Sequence, residues 1–419
     1  MTLAPSESKD VQRAMRISSW CSACFLTALA ALTLPGCNLL RGMRDSFAIN
    51  GPVPSADGQP EEFAAALFQS TGARLLPGHQ WTLTANGSVF ASLAADIGKA
   101  TQSINFLDYI WDPGAASDRL IDALEKRPKN VQCRVIADAL GSPSFEVKVA
   151  PRLAKIGCEA RLFRPLSVHN LLERDHRRLV VIDGRIAYLG GFGVRDDWRA
   201  KRRRFNLVRR TRRRLEEEWR DDNLRVVGPV VNDVQRAFAQ NWQETGGALL
   251  PASDLPAIKP DGEASVAFIS STASYLTDAE RLVHLLIASA QKRVFIANAY
   301  FVPDVSLMRL LTDRARHGIE VQVIAPSNKN DLPIAAIGQR LLYRQLLGAG
   351  VKVYEYQPTM MHAKTLIIDD RIAAIGSLNL NLLSLSRLEE AVVVVDDPKL
   401  VQTLNKSWHQ DLIDSRQVH

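Results

Sequence analysis

The sequence predicts an α/β protein built from two copies of one unit. The first observation is a short pattern: histidine, any residue, a cation, four residues, aspartate. It occurs at His176-Arg177-Arg178-Leu179-Val180-Val181-Ile182-Asp183 and again at His362-Ala363-Lys364-Thr365-Leu366-Ile367-Ile368-Asp369. The second is the stretch after each motif: a turn (184–185 or 370–371), an apolar run (186–189 or 372–375), then Gly190-Gly191 or Gly376-Ser377-Leu378-Asn379. The third lies upstream. Helical periodicity over 89–100 leads into an apolar strand at 104–110, and 279–290 leads into 294–300. Another helix and another strand come next in each copy, at 131–137 and at 321–325. The two histidines stand 186 residues apart (362 − 176). A repeat of this length made of alternating strands and helices implies a duplicated α/β fold.

Each motif run is short, apolar and partly β-branched, which predicts a buried strand. Alternation along a strand places His176 with Arg178, and His362 with Lys364, on one face. One rigid element then presents an imidazole and a cation in the same direction.

Taken in order, the chain opens with residues 1–36, which read as a signal peptide. Arg13 and Arg16 give a basic start, and residues 17–40 carry no charge. The apolar run 20–34 is short for a membrane span and ends at Pro35-Gly36. Leu34-Pro35-Gly36-Cys37 looks like a bacterial lipobox, implying cleavage before Cys37 and acylation of its thiol. This predicts a lipid-anchored protein of the bacterial cell envelope facing the periplasm, and Asn38 leans toward the outer membrane. Residues 37–80 are rich in Gly, Pro and small polar side chains around one amphipathic piece, 61–68, and read as a flexible tether. The first repeat spans 81–247, a Gly- and Pro-rich linker 248–264, and the second repeat 265–419. Cys133 and Cys158 fall in neighbouring predicted strands; they either pair or stay as buried thiols.

The 419-residue chain has a net charge of +7 and a pI near 9.2, which suits an anionic partner. Residues 199–214 concentrate ten Lys and Arg side chains, followed by Glu216-Glu217-Glu218. That run is either a solvated loop or a landing patch for anionic headgroups, where each basic residue adds about 1 kcal/mol. Phe205 is its one aromatic residue, not the aromatic interleaving that supports base stacking. With an export signal, nucleic acid is not the expected partner, and no protein partner is evident.

The duplicated motif resembles the signature of the phospholipase D superfamily, over roughly residues 80–415. Bacterial cardiolipin synthases match best, through the Asn86-Gly87 entry, Tyr300-Phe301-Val302-Pro303-Asp304, and Trp219-Arg220-Asp221 leading to Gly228-Pro229-Val230. The second motif matches in full. The first has Arg178 where the family carries Lys, and Gly193 where the second half has Asn379. The resemblance implies a pseudo-two-fold α/β/α sandwich, two phospholipase D-like repeats each with a mixed sheet, and one active site at the seam.

It also implies chemistry. One histidine attacks phosphorus to form a covalent phosphohistidine; the other protonates the leaving alcohol and deprotonates the incoming one. His176 is the expected nucleophile and His362 the acid/base. Arg178 and Lys364 hold the non-bridging oxygens, with Asn379 and Ser377 as neutral donors. Asp183 and Asp369 support the motif, and Glu390 supports a site histidine. No metal and no cofactor are expected: the histidines can move the protons, and no other histidine pair has metal-ligand spacing. The expected function is phosphatidyl transfer giving cardiolipin. Hydrolysis of a lipid or nucleic-acid phosphodiester at the same site is the alternative, and a catalytically inert lipid-binding lipoprotein the third reading.

Overall fold

The structure is a computed structural model that describes residues 47–167, 170–198 and 218–419. The signal segment 1–36, Cys37 and the basic run 199–214 lie outside the described residues.

The first half contributes β1 (Leu76–Ala85), α2 (Ser88–Ile97), β2 (Ser103–Asp108), α3 (Ala115–Glu125), β3 (Gln132–Asp138), α4 (Ala150–Lys155), β4 (Glu159–Phe163), β5 (Arg178–Ile182), β6 (Ile186–Gly190), β7 (Asp222–Val227) and α5 (Val231–Glu244). The second half repeats this with β8 (Ala264–Ser271), α6 (Asp278–Ser289), β9 (Arg293–Asn298), α7 (Val305–Arg316), β10 (Glu320–Pro326), α8 (Pro333–Gly348), β11 (Lys352–Tyr356), β12 (Lys364–Ile368), β13 (Ile372–Gly376), α9 (Leu382–Ser386), β14 (Glu390–Asp396), α10 (Pro398–Ile413) and the edge strand β15 (Ser415–Gln417). The sheet order is β15-β11-β10-β9-β12-β13-β14-β8-β1-β7-β6-β5-β2-β3-β4. Read outward from the β8–β1 junction, the two sides carry the same elements in the same order. The predicted mixed α/β duplication is what the chain adopts.

Both motif strands are central and buried at every position. This is why they read as continuous apolar runs. Each pairs antiparallel with the first long strand of its half: Arg178 lies opposite Asp108, and Lys364 opposite Asn298. The motif strands therefore begin at the C-terminal ends of β2, β3, β9 and β10, the end where ligands bind in open α/β sheets.

Three apolar cores result. One lies under α2, α3 and α4 and another under α6, α7 and α8. The third joins the halves: Leu107, Leu179 and Val181 pack in one cluster with Phe295, Ile367 and Val393, together with α5 and α10. The halves share a core, so neither is closed without the other.

The described part of the expected tether is not a tether. Residues 60–71 form α1, started by Pro60 and ended by Gly72 at φ 70°. Phe63 and Leu67, four residues apart on one helix face, are buried with Leu282 and Leu286 of α6. The Ala56 N–H bonds the Ser289 carbonyl at 3.0 Å. The amphipathic piece in 61–68 found a partner in the second half, and that burial orders the stretch around it.

Cys133 and Cys158 form a disulfide between β3 and the entry to β4, closing a 25-residue separation. Cross-linking a loop of that length stabilises a fold by about 3 kcal/mol. The Cys133→Ala/Cys158→Ala protein should therefore unfold at lower denaturant by about that free energy, and dithiothreitol should move only the parent protein. Equal midpoints would show the thiols unpaired.

Candidate active site

His176 and His362 sit just before β5 and β12, where each half hands a backbone group to the other. The His176 N–H bonds the Glu389 carbonyl at 2.9 Å, and the His362 N–H bonds the Arg220 carbonyl at 2.7 Å. The side chains repeat this exchange. His176 Nδ1 lies 3.0 Å from Glu390 Oε1, and His362 Nδ1 lies 2.8 Å from Asp221 Oδ2. Each imidazole is thus oriented by a carboxylate from the opposite half. A carboxylate on Nδ1 fixes the N–H there and leaves Nε2 as the reactive nitrogen.

The sequence pattern assigns no role to Asp221, although Trp219-Arg220-Asp221 marks the place. Sheet register shows it to be the counterpart of Glu390. Gly190 pairs with Asn223 on β7, and Gly376 pairs with Val392 on β14, so two residues earlier Asp221 matches Glu390.

The cations lie against the rings. Arg178 Nη2 is 3.2 Å from His176 Nε2, and its Nη1 donates to the His176 carbonyl at 3.2 Å. Lys364 Nζ lies 2.9 Å from both ring nitrogens of His362 and 2.6 Å from its carbonyl oxygen. Arg178 therefore occupies the position of a motif lysine. Tyr109 stacks edgewise on His176 with centroids 4.9 Å apart and lies under the Arg178 guanidinium. Trp198 and Trp219 wall His362 at 4.9 and 5.0 Å.

The halves differ in detail. Glu390 accepts from the Ser377 hydroxyl, and Asp221 accepts from Trp198 Nε1 at 2.8 Å. Gly191 replaces Ser377 because a Cβ there would come within 2.3 Å of the Asp221 carboxylate. A Cβ at Gly193 would press on the Trp198 ring at 3.2 Å, so the indole fills the space that Asn379 has in the other half. Among the described residues the buried Asn379 amide oxygen has no hydrogen-bond partner, which leaves this side chain able to turn toward a ligand.

Two expectations need correction. Ser377 spends its hydroxyl on Glu390 and acts through that carboxylate, not as a phosphate donor. Asp183 and Asp369 do not reach the histidines. They stand at the far ends of the motif strands, roughly 20 Å away at 3.3 Å per residue. There each adopts a left-handed φ (55° and 52°) and gathers backbone N–H groups: Asp183 those of Thr101, Gln102 and Ser103, and Asp369 those of Gln291, Lys292 and Arg293. They tie the turn after each motif strand to the loop entering β2 or β9. Their support of the motif is to the fold.

Burial dominates the electrostatics. It pushes His176 down to about 4, against the raising effect of Glu390. His362 is held well below the usual imidazole range by burial, then by Lys364 and Arg178; the charge of His176 contributes too, as expected of one shared site. Burial brings Lys364 down to about 7 despite Asp221, and raises Asp221 to about 6. Both imidazoles are therefore neutral near pH 7 in the substrate-free site. Asp108 is raised to about 8, again by burial with Arg178 opposing, so it is largely protonated at neutral pH. Among the described residues no group of three or more His, Cys, Asp or Glu side chains could hold a metal ion.

Comparison with known proteins shows the family of the chain. The family described as "Cardiolipin synthase, PLD-like domain" matches residues 283–412. A cardiolipin synthase of Listeria innocua is 28% identical over 84% of this chain and 73% of its own length. The major cardiolipin synthase of Bacillus subtilis is 30% identical over 78% of this chain and 67% of its own. Among solved structures, phosphatidylserine synthase of Haemophilus influenzae shares the fold at a TM-score of 0.64 with 13% identity, covering 85% of this chain and 92% of that one. Polyphosphate kinase of Porphyromonas gingivalis does so at 0.52, also with 13% identity, covering 90% of this chain and 53% of that one. Two histidine–cation motifs at one seam, each histidine braced by the opposite half, and relatives of this identity and coverage place the chain in the cardiolipin synthase family of phospholipase D-like proteins.

Proposed function

We propose that this chain is a phosphatidyltransferase that makes cardiolipin from phosphatidylglycerol or a related donor. The reading rests on the reciprocal bracing of His176 by Glu390 and of His362 by Asp221, which leaves two neutral Nε2 atoms and two cations around one phosphodiester.

In the first step His362 takes up a proton at Nε2 as the anionic phosphodiester enters beside it, and His176 Nε2 attacks phosphorus to form a P–N bond. The P–O bond to the headgroup glycerol breaks, and His362 gives that oxygen the proton. In the second step His362 Nε2 takes the proton from the headgroup hydroxyl of a second lipid. That oxygen attacks phosphorus and the P–N bond breaks. Arg178 and Lys364 meet the non-bridging oxygens as their charge grows, and Arg can do so bidentately. The Asn379 amide is a neutral donor beside them. Cys37 would carry the lipid anchor, holding the enzyme in the cell envelope on the periplasmic side. The outer membrane is favoured by Asn38. The basic run 199–214 suits an anionic membrane partner. Among the described residues no helix is long and apolar enough to cross a membrane.

Labelled phosphatidylglycerol given to the purified enzyme should yield labelled cardiolipin and glycerol; phosphatidic acid as the main product would mean hydrolysis. A phosphoenzyme that survives His176→Ala but is lost in His362→Ala would reverse the two roles.

Arg178→Ala should lower kcat by about 10²–10³, the usual cost of one donor to a developing anion, while Arg178→Lys should keep most of the rate. A lower melting temperature with unchanged turnover per folded molecule would make Arg178 structural.

The pH profile is set by the buried groups. A lysine depressed to about 7 loses its charge as pH rises through that value, so kcat/KM should fall above about 7. Lys364→Arg stays charged and should shift this limb up to about 8, where Asp108 ionises and offsets Arg178. Adding Asp108→Asn should move the limb higher still. A limb that stays in place in Lys364→Arg would assign it to another group.

A further inference from the structure

We infer that the mouth of the site docks on an anionic phospholipid bilayer through two pseudo-equivalent structures, α8 with its exposed apolar stripe and the turn entering α4 with its exposed Val147, each accompanied by exposed basic side chains. The inference rests on the proposed function only in that the substrate is an amphiphile.

Sheet polarity places both structures at the mouth. β3 runs parallel to β2, and β10 parallel to β9, so the segments after β3 and β10 leave from the end where Arg178 and Lys364 lie. Side-chain contacts agree. Asp138, the last residue of β3, holds the Arg174 guanidinium and the Asp175 N–H just before His176. Asp331, after β10, accepts from the Tyr300 hydroxyl at 2.7 Å, and the Tyr300 ring lies 6.4 Å from that of His362. The next helices run back toward β4 and β11, so their first turns are nearest the mouth.

Those first turns are apolar where a soluble surface would be polar. On α8, Pro333, Ile337 and Leu341 fall at four-residue spacing on one stripe and are exposed, Ile337 by 53% and Leu341 by 62%. On the other side of the mouth, Val147 of the turn Phe145–Val149 is 78% exposed, between the exposed Glu146 and Lys148, whose charges offset each other there. Exposed cations lie along the same segments: Arg340, just before Leu341, and Arg344 on α8, and Lys148, Arg152 and Lys155 leading into and along α4. Arg340 pairs with Glu355 and Arg152 with Asp118, whereas Lys148, Lys155 and Arg344 make no ion pair among the described residues.

At 1.5 Å per residue, Arg340 and Arg344 lie roughly 10 and 16 Å along the helix from Pro333. An interfacial segment buries its apolar face about 5–10 Å into the headgroup and acyl boundary. Pro333 and Ile337 at that depth leave Arg340 and Arg344, with Leu341 between them, level with lipid phosphates, where each cation is attracted to an anionic surface. The charge sign selects the occupant: an uncharged protein groove would match the apolar stripe but not the basic collar on both sides. Docking in this pose brings the headgroup layer to the mouth, so a lipid need lift its phosphate only a short way to reach His176.

The test uses the full chain with vesicles of phosphatidylglycerol and phosphatidylcholine, read by hydrogen exchange and by turnover. The amides of 143–152 and 333–344 should gain protection on mixed vesicles and much less on pure phosphatidylcholine. The variant Val147→Asp/Ile337→Asp/Leu341→Asp should lose at least about tenfold in turnover on vesicles. On a short-chain phosphatidylglycerol below its critical micelle concentration it should stay within about twofold of the parent. No vesicle-dependent protection at these segments, or vesicle turnover unchanged in the variant, would overturn the docking face. Protection that grows with protein concentration without vesicles would do so too, by assigning the stripe to a second copy of the chain. Exchange needs no turnover, so docking can succeed where the assigned reaction fails, and the reverse.

Discussion

The site depends on an exchange of carboxylates across the seam. Neither half can orient its own histidine: Glu390 serves His176, and Asp221 serves His362. A histidine buried without a partner on Nδ1 would lack a fixed tautomer, and its reactive nitrogen would have no fixed direction. Their immediate sequence neighbours also join the backbones, through Asp175 beside Glu389 and Arg220 beside Met361. Catalytic geometry and assembly of the two halves are therefore one property. The shared apolar cluster around Phe295, Leu179 and Val393 supplies the bulk attraction, and the crossed hydrogen bonds set the register.

Buried charge around the seam is balanced locally. Arg220 is held by Asp222 at 2.6 Å and by Asp411 at 2.8 Å, and Asp222 also accepts from Thr365 at 2.8 Å. At the equivalent position of the other crossing stands an acid, Glu389, held by Arg164 at 2.7 Å and Arg177 at 3.0 Å. The duplication kept the backbone bridge and reversed the sign of the charge. Such networks add little net stability over an apolar core, but breaking one leaves an uncompensated buried ion. Here they hold rigid the two short segments that carry the histidines, which pre-organised catalysis requires.

Much of this is legible in the chain. The short apolar runs and the repeat predict the motif strands and their flanking helices, and alternation along the strand predicts that each cation shares a face with its histidine. The rest is hidden for identifiable reasons. Asp221 comes 31 residues after Gly190, whereas Glu390 comes 14 after Gly376, because the first half carries the long basic segment between them. Linear offset therefore hides an equivalence that strand register makes plain. Asp183 and Asp369 group with the histidines in one dimension because a motif looks like one unit on paper. In space a seven-residue extended segment separates its ends, so the aspartates work at the opposite edge of the sheet. Helix α1 has a weak signal of its own because its stability comes from α6, over 200 residues away in sequence, and not from its composition.

The departure at Arg178 also has a physical setting that one-dimensional comparison conceals. Its cross-strand neighbour is Asp108, whereas the neighbour of Lys364 is Asn298. Directly opposite residues share a face and come within about 5 Å at Cβ. An ionised Asp108 would cancel the guanidinium charge that a phosphodiester needs. Burial prevents this by holding Asp108 near 8, with one oxygen accepting the Ile110 N–H at 2.9 Å and the other without a hydrogen-bond partner among the described residues. A protonated carboxyl is close in shape and hydrogen-bonding capacity to the amide of Asn298. At neutral pH the two halves thus present equivalent sites: a cation beside an uncharged neighbour. Arg for Lys and Asp for Asn are a matched pair, and the second substitution leaves the charge carried by the first available for phosphate.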